Sequence, residues 1–141
     1  FAADGTAFIS AALPSFVNSF FAFSPYAGDI SLAAGDTNGD GTPDIVVGST
    51  SGTRGNVRVF SGANNSSLAN YFAYPAGTTT GASVGLADVN TDGLLEVVAT
   101  PIAAGQQANV SAFDLTGTAV GSGFAAFSGF RGGSTVAGAR F

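Results

Sequence analysis

Six of the nine carboxylates in this 141-residue chain fall into two short loops. In the first, Asp36, Asn38, Asp40 and Asp44 stand at positions 1, 3, 5 and 9, with Gly41 at position 6. In the second, Asp88, Asn90, Asp92 and Glu96 repeat that spacing around Gly93. Alternating oxygen-bearing side chains with a glycine at the sharp turn wrap a hard cation such as calcium. The main-chain carbonyls of Thr42 and Leu94, at position 7, would add one ligand each. An EF-hand carries a Glu at position 12 and lies between helices. Position 12 here is Val47 or Ala99, so the pattern is calcium-like without being an EF-hand. The alternative is a pair of Asx-rich turns with no ion, because Asn, Asp and Gly favour turns in any case.

Other chemistry is scarce. His and Cys are absent, and all four basic residues are arginine. A Ser-His or Cys-His nucleophilic centre and a lysine Schiff base are therefore excluded, and zinc and copper lack their usual ligands. No disulfide can form. The net charge of -5 repels nucleic acid. Paired carboxylates can hydrolyse glycosides, but these pairs fall inside metal-loop spacing. No enzyme activity is expected.

An internal repeat positions the loops. The first loop recurs 52 residues later, and Leu32, Val84 and Val136 share that offset. Phe20–Phe23, Tyr71–Tyr74 and Phe124–Phe127 recur 51 and 53 residues apart. Between these marks lie short runs rich in Val, Ile and Phe, bounded by Gly, Asn, Asp and Pro, which read as strands. The spacing predicts strands A, B, C and D over 29–35, 44–48, 56–61 and 67–74. A second set falls at 81–87, 96–100, 108–114 and 119–127. Four antiparallel strands per repeat make an all-β fold of β-propeller blades. Residues 1–24 read as strands B-C-D of a partial blade, 25–75 and 76–128 as two full blades, and 129–141 as a lone strand A (133–139). The order B-C-D, A-B-C-D, A-B-C-D, A amounts to three blade equivalents. A ring typically needs four to eight blades, so further copies of the chain, or further blades of a longer one, are expected. The start at Phe1 suggests a processed or excised segment.

Leu32 to Gly48, Asn56 to Phe60 and Phe72-Ala73-Tyr74 together resemble the FG-GAP repeat family, the blades of integrin α-subunit-type propellers and of many secreted bacterial proteins. The resemblance covers most of residues 16–141. It implies a calcium ion between strands A and B of each blade with an intact loop, held by Asp36, Asn38, Asp40, Thr42 and Asp44, and by Asp88, Asn90, Asp92, Leu94 and Glu96. The second loop departs from the pattern at Thr91 and Glu96, which implies a weaker site. Arg140 stands where a third loop would begin, so no calcium is expected there. The resemblance also implies a secreted or cell-surface setting and a structural or adhesive role.

Further features carry smaller expectations. The aromatic ends of the D strands are read as packing between blades rather than as a ligand platform. Asn64, Asn65 and Asn109 each begin an Asn-x-Ser triplet and are candidate glycosylation sites. Asp114, Asp29 and Asp4 read as turn or surface acids, with Arg58 a candidate partner for one of them. The apolar stretch from Ala7 to Phe23 is interrupted by Pro14 and Asn18, too broken for a membrane helix. The leading expectation is a calcium-stabilised extracellular propeller module that assembles head-to-tail into a ring or filament. The alternatives are a fragment of a larger propeller that binds a glycan or protein, and an accessory domain of a secreted enzyme.

Overall fold

The computed structural model describes residues 20–138. These form eight strands in two four-stranded antiparallel sheets. The first sheet is β1 (Ile30–Gly35), β2 (Asp44–Ser49), β3 (Asn56–Phe60) and β4 (Ser67–Phe72). The second is β5 (Ala82–Ala87), β6 (Glu96–Pro101), β7 (Asn109–Phe113) and β8 (Ala119–Ala125). Neighbours in sequence are neighbours in space, as in propeller blades, and no helix occurs among the described residues. The A-B-C-D reading of both repeats therefore holds, with the D strands ending two residues earlier than expected.

Composition explains the placement. β2 and β6 are apolar runs, Ile45-Val46-Val47 and Val97-Val98-Ala99, and both lie almost wholly buried at the inner side of each sheet. β5 alternates Ala82, Val84 and Leu86 on one face, and that face packs on the first sheet. Val46, Val57 and Val59 of the first sheet are fully buried in one core cluster with Val84, Leu86, Leu95 and Val97 of the second. Each such valine contributes about 1.5 kcal/mol or more on burial.

Two contacts fix how closely the sheets approach. The Val84 N–H donates to the Ser31 hydroxyl at 3.0 Å. At Gly81 a Cβ would collide with the Thr50 main chain, so only glycine lets the two backbones meet there. Tyr71 of β4 packs on Phe113 of β7 with ring centroids 5.7 Å apart, which places a D-strand aromatic between blades as the sequence suggested. Its hydroxyl is buried without a partner. Burial, aided by the nearby Asp114 charge, pushes the phenol well above its usual range.

Two expectations change at the ends. The strands assigned to residues 1–19 lie outside the described residues, and 20–24 form no strand. Instead Phe20 packs edge-on against Phe60 at 4.8 Å, and Arg58 donates to the Ala22 carbonyl at 2.7 Å. Arg58 thus serves a main-chain carbonyl rather than an acid. The lone strand A does not appear as a strand either, because residues 133–138 form no ladder. They lie across the second sheet: Val136 N–H donates to the Ser83 hydroxyl at 3.1 Å, and Ser134 N–H to the Pro101 carbonyl at 3.1 Å. No other strand lies beside this segment to pair with it among the described residues.

Candidate metal centre

Each acidic loop joins the first two strands of its sheet, β1 to β2 and β5 to β6. The antiparallel register brings Gly35 opposite Asp44 and Ala87 opposite Glu96. This delivers the ninth loop residue back to the start of the loop.

In the first loop the side chains organise the backbone. Asp36 accepts from the N–H groups of Gly39 and Gly41, at 2.7 and 2.9 Å. Asn38 Oδ1 accepts from Asp40 N–H at 2.9 Å, and Asp40 Oδ1 accepts from Thr42 N–H at 2.8 Å. Asn38 Nδ2 donates to Asp40 Oδ2 at 3.1 Å. The Thr42 N–H, then the Asn38 amide, hold the Asp40 carboxyl below its ordinary range by favouring the anion.

Asp44 is fully buried. Its Oδ2 accepts from both the N–H and the hydroxyl of Thr37, at 3.0 and 2.6 Å, and its Oδ1 accepts from Gly62 N–H at 3.1 Å. The carboxylate therefore ties the loop to the turn after β3. Thr37, itself buried, was not singled out in the sequence. The visible signal was a hydroxyl at position 2 of one loop and valine at the same position of the other.

The second loop repeats the scheme with substitutions. Asn90 Oδ1 accepts from Asp92 N–H, Asp92 Oδ1 from Leu94 N–H, and Asp88 Oδ2 from Gly93 N–H, at 2.9, 2.9 and 3.1 Å. Val89 has no hydroxyl, and the longer Glu96 reaches its N–H at 2.8 Å. Thr91 occupies the place of Gly39, and both have positive φ, 62° and 78°. A β-branched residue is strained there.

The two loops differ in what they leave over. Both Asp36 oxygens have N–H partners, whereas Asp88 Oδ1 is buried with no hydrogen-bond partner. Asn90, Asp92 and Glu96 line a cavity of about 280 Å³ together with Asp114 and Thr37, and Leu94, Leu95, Leu115 and Val120 make the rest of its wall largely apolar. An oxygen-only, largely anionic donor set with one orphaned buried oxygen fits a hard cation. Among the described residues no three acid side chains converge on one point; the oxygens are spread over backbone donors.

The remaining candidates separate. Asn64 is exposed in the turn between β3 and β4, where its Oδ1 accepts from Ser66 N–H at 2.9 Å. Asn65 is half-buried beside it, and Asn109 is exposed at the start of β7. Asp114 forms a tight turn, accepting from the Thr116 N–H and hydroxyl at 2.8 and 2.6 Å and from Thr118 N–H at 3.0 Å. These bonds hold its carboxyl below the ordinary range.

No curated protein and no solved structure matches the chain. Residues 36–99 match the sequence model of the FG-GAP-like repeat. The matched stretch runs from the first loop to the sixth strand and contains both acidic loops. FG-GAP repeats are a non-catalytic repeat family typical of extracellular proteins. No helix among the described residues is long and apolar enough to cross a membrane. Over Asp36 to Ala99 the chain is thus similar to the FG-GAP-like repeat family.

Proposed function

We propose that the chain is an extracellular, calcium-stabilised propeller module with a structural or adhesive role and no enzymatic activity of its own. The observation that carries this reading is the twice-repeated oxygen-rich loop, in the second of which Asp88 Oδ1 is buried without a hydrogen-bond partner. Asp36, Asn38, Asp40, Asp44 and the Thr42 carbonyl would hold calcium in the first loop. Asp88, Asn90, Asp92, Glu96 and the Leu94 carbonyl would hold it in the second. The ion supplies cross-linking charge: it neutralises acids crowded between two strands and stabilises the folded form by mass action. Calorimetric titration of the chelator-treated chain with calcium tests this. Saturable binding supports the reading, and no heat with no rise in melting temperature overturns it.

A second reading, glycan or protein binding, has its own observation. A cavity of about 320 Å³ is lined by Phe23, Tyr26, Phe72, Asn56, Arg58 and Asn70, among others. Asn56 Oδ1 and Arg58 Nε are buried there without partners. Aromatic faces beside an unpaired donor and an unpaired acceptor suit a hydroxyl-rich ligand. Glycan-array binding that Asn56→Ala abolishes would establish it.

A further inference from the structure

A polar cleft of about 420 Å³ lies where the two sheets join, between the link 74–80 and the hairpin that connects β6 to β7. Both walls are tied down. The link hangs on the first sheet: Tyr74 N–H donates to the Arg54 carbonyl at 3.1 Å, and Gly81 N–H to the Thr53 carbonyl at 3.0 Å. It is held to the second sheet by Ala103 N–H, which donates to the Thr80 carbonyl at 3.1 Å. Arg131 is fastened to the hairpin. Its carbonyl accepts from Gly105 N–H at 2.8 Å, and its guanidinium donates to the Gly105 carbonyl at 3.4 Å. These bonds shape the cleft without help from a ligand, which lowers the ordering cost of binding.

The lining offers hydrogen bonds of both senses. Gln106, Gln107 and Asn109 bring carboxamides, Ser111 a hydroxyl and Arg131 a guanidinium, and none of the lining residues is an acid. Tyr74 keeps a buried hydroxyl with no hydrogen-bond partner. Burial raises its phenol above the usual range, so that the hydroxyl stays a donor. Pro75 and Pro101 add apolar ring surface beside these groups. Carboxamides and hydroxyls can each donate and accept, which matches a ligand whose own groups do both, as sugar hydroxyls do. The volume falls within the range of about 300–1,000 Å³ usual for small-ligand sites.

The cleft also recurs along the chain. Phe23 stands 51 residues before Tyr74, Ser49 52 before Pro101, and Asn56 and Arg58 53 before Asn109 and Ser111. These four earlier residues line the cavity of about 320 Å³ on the first sheet. There Thr50 N–H donates to the Asp29 carbonyl at 3.1 Å, as Ala103 N–H does to Thr80. The register sets Asn56 opposite Phe72 and Asn109 opposite Ala125. Alanine in place of Phe72 and serine in place of Arg58 leave the later cleft the wider of the two. We propose that the cleft at the joint of the sheets, built by Tyr74, Gln107, Asn109, Ser111 and Arg131, is a binding site for a carbohydrate. This site is distinct from the first cleft, and it rests neither on that cleft being occupied nor on calcium.

The test is an array of neutral and uronic oligosaccharides probed with the 141-residue chain. The chain is made in a host that adds no N-linked glycan, since Asn109 begins an Asn-x-Ser triplet. The best-retained oligosaccharide is then titrated into isotope-labelled chain and followed by NMR. The amide signals of Gln107, Asn109 and Ser111 are expected to shift and saturate together. Asn109→Ala combined with Gln107→Ala should weaken binding roughly tenfold, as loss of two hydrogen bonds does. Asn109 is exposed and Gln107 half-buried, so the double variant should fold, which urea denaturation checks; Ser111→Ala is the milder substitute. A chain that retains no oligosaccharide overturns the proposal. Binding that Asn56→Ala abolishes and the Asn109 and Gln107 changes leave intact also overturns it, and places the sugar in the first cleft alone. Binding lost with Asn109 and Gln107 but kept in Asn56→Ala supports this site and removes the first.

Discussion

Thr37 gives both its N–H and its hydroxyl to one oxygen of Asp44, in a place neither residue shares with solvent. A buried carboxylate is tolerable only when its lone pairs are met. Asp44→Ala would strand three donors, the two on Thr37 and the Gly62 N–H. The expected loss is about 3 kcal/mol of unfolding free energy, read by urea denaturation. Thr37→Val should cost about 2 kcal/mol. Adding Asp44→Glu to it recreates the Val89 and Glu96 arrangement and should recover part of that loss.

Thr91 sits in the left-handed region that Gly39 occupies without strain. Thr91→Gly should therefore stabilise the chain by about 1 kcal/mol. Gly39→Thr should destabilise it by a similar amount. Thermal melts of both variants read the sign, and a stability loss in Thr91→Gly would contradict the strain argument.

The two loops should be separable by stoichiometry. If each holds one calcium, Asp36→Asn and Asp88→Asn should each remove one binding event from a calorimetric titration. Calcium at a hundredfold excess over Kd should stabilise the chain by about 2.7 kcal/mol per site. Loss of both events from a single substitution would mean that the loops act as one unit.

Asp114 gives a pH dependence with a definite sign. Its folded-state pKa is lowered by Thr116 and Thr118, so the folded form favours the anion. Its contribution is fully present above the ordinary aspartate value of about 3.9 and is lost as pH falls through the depressed folded value. The difference in stability between the wild-type chain and Asp114→Ala should thus be flat above about pH 5 and shrink below about pH 4. Acid titrations of unfolding free energy at several fixed pH values check it.

The repeat made much of this fold legible. An offset of 52 residues, with short Val-rich runs between turn residues, was enough to place β1 to β8, because each blade must bury the same face against its neighbour. The loop residues were legible for the same reason. What escaped were contacts that depend on tertiary distance. Ser31 and Ser83 look like ordinary strand serines until a neighbouring N–H arrives. Asp44 reads as a loop acid, but its burial follows from the turn after β3 folding over it. Residues 133–138 carry the residue pattern of β5 and are still no strand, because a ladder requires a second chain segment that the pattern cannot supply.

Gly81 and Gly133 have one further consequence. At both positions the main chain of one unit rests on the main chain of the one before. The step from unit to unit is therefore gauged at these points by peptide against peptide, beside the side-chain packing of the shared core. A single methyl group at either glycine would alter it, and the error would be compounded at every later unit. Two positions that carry no side chain thus limit how closely successive units can approach.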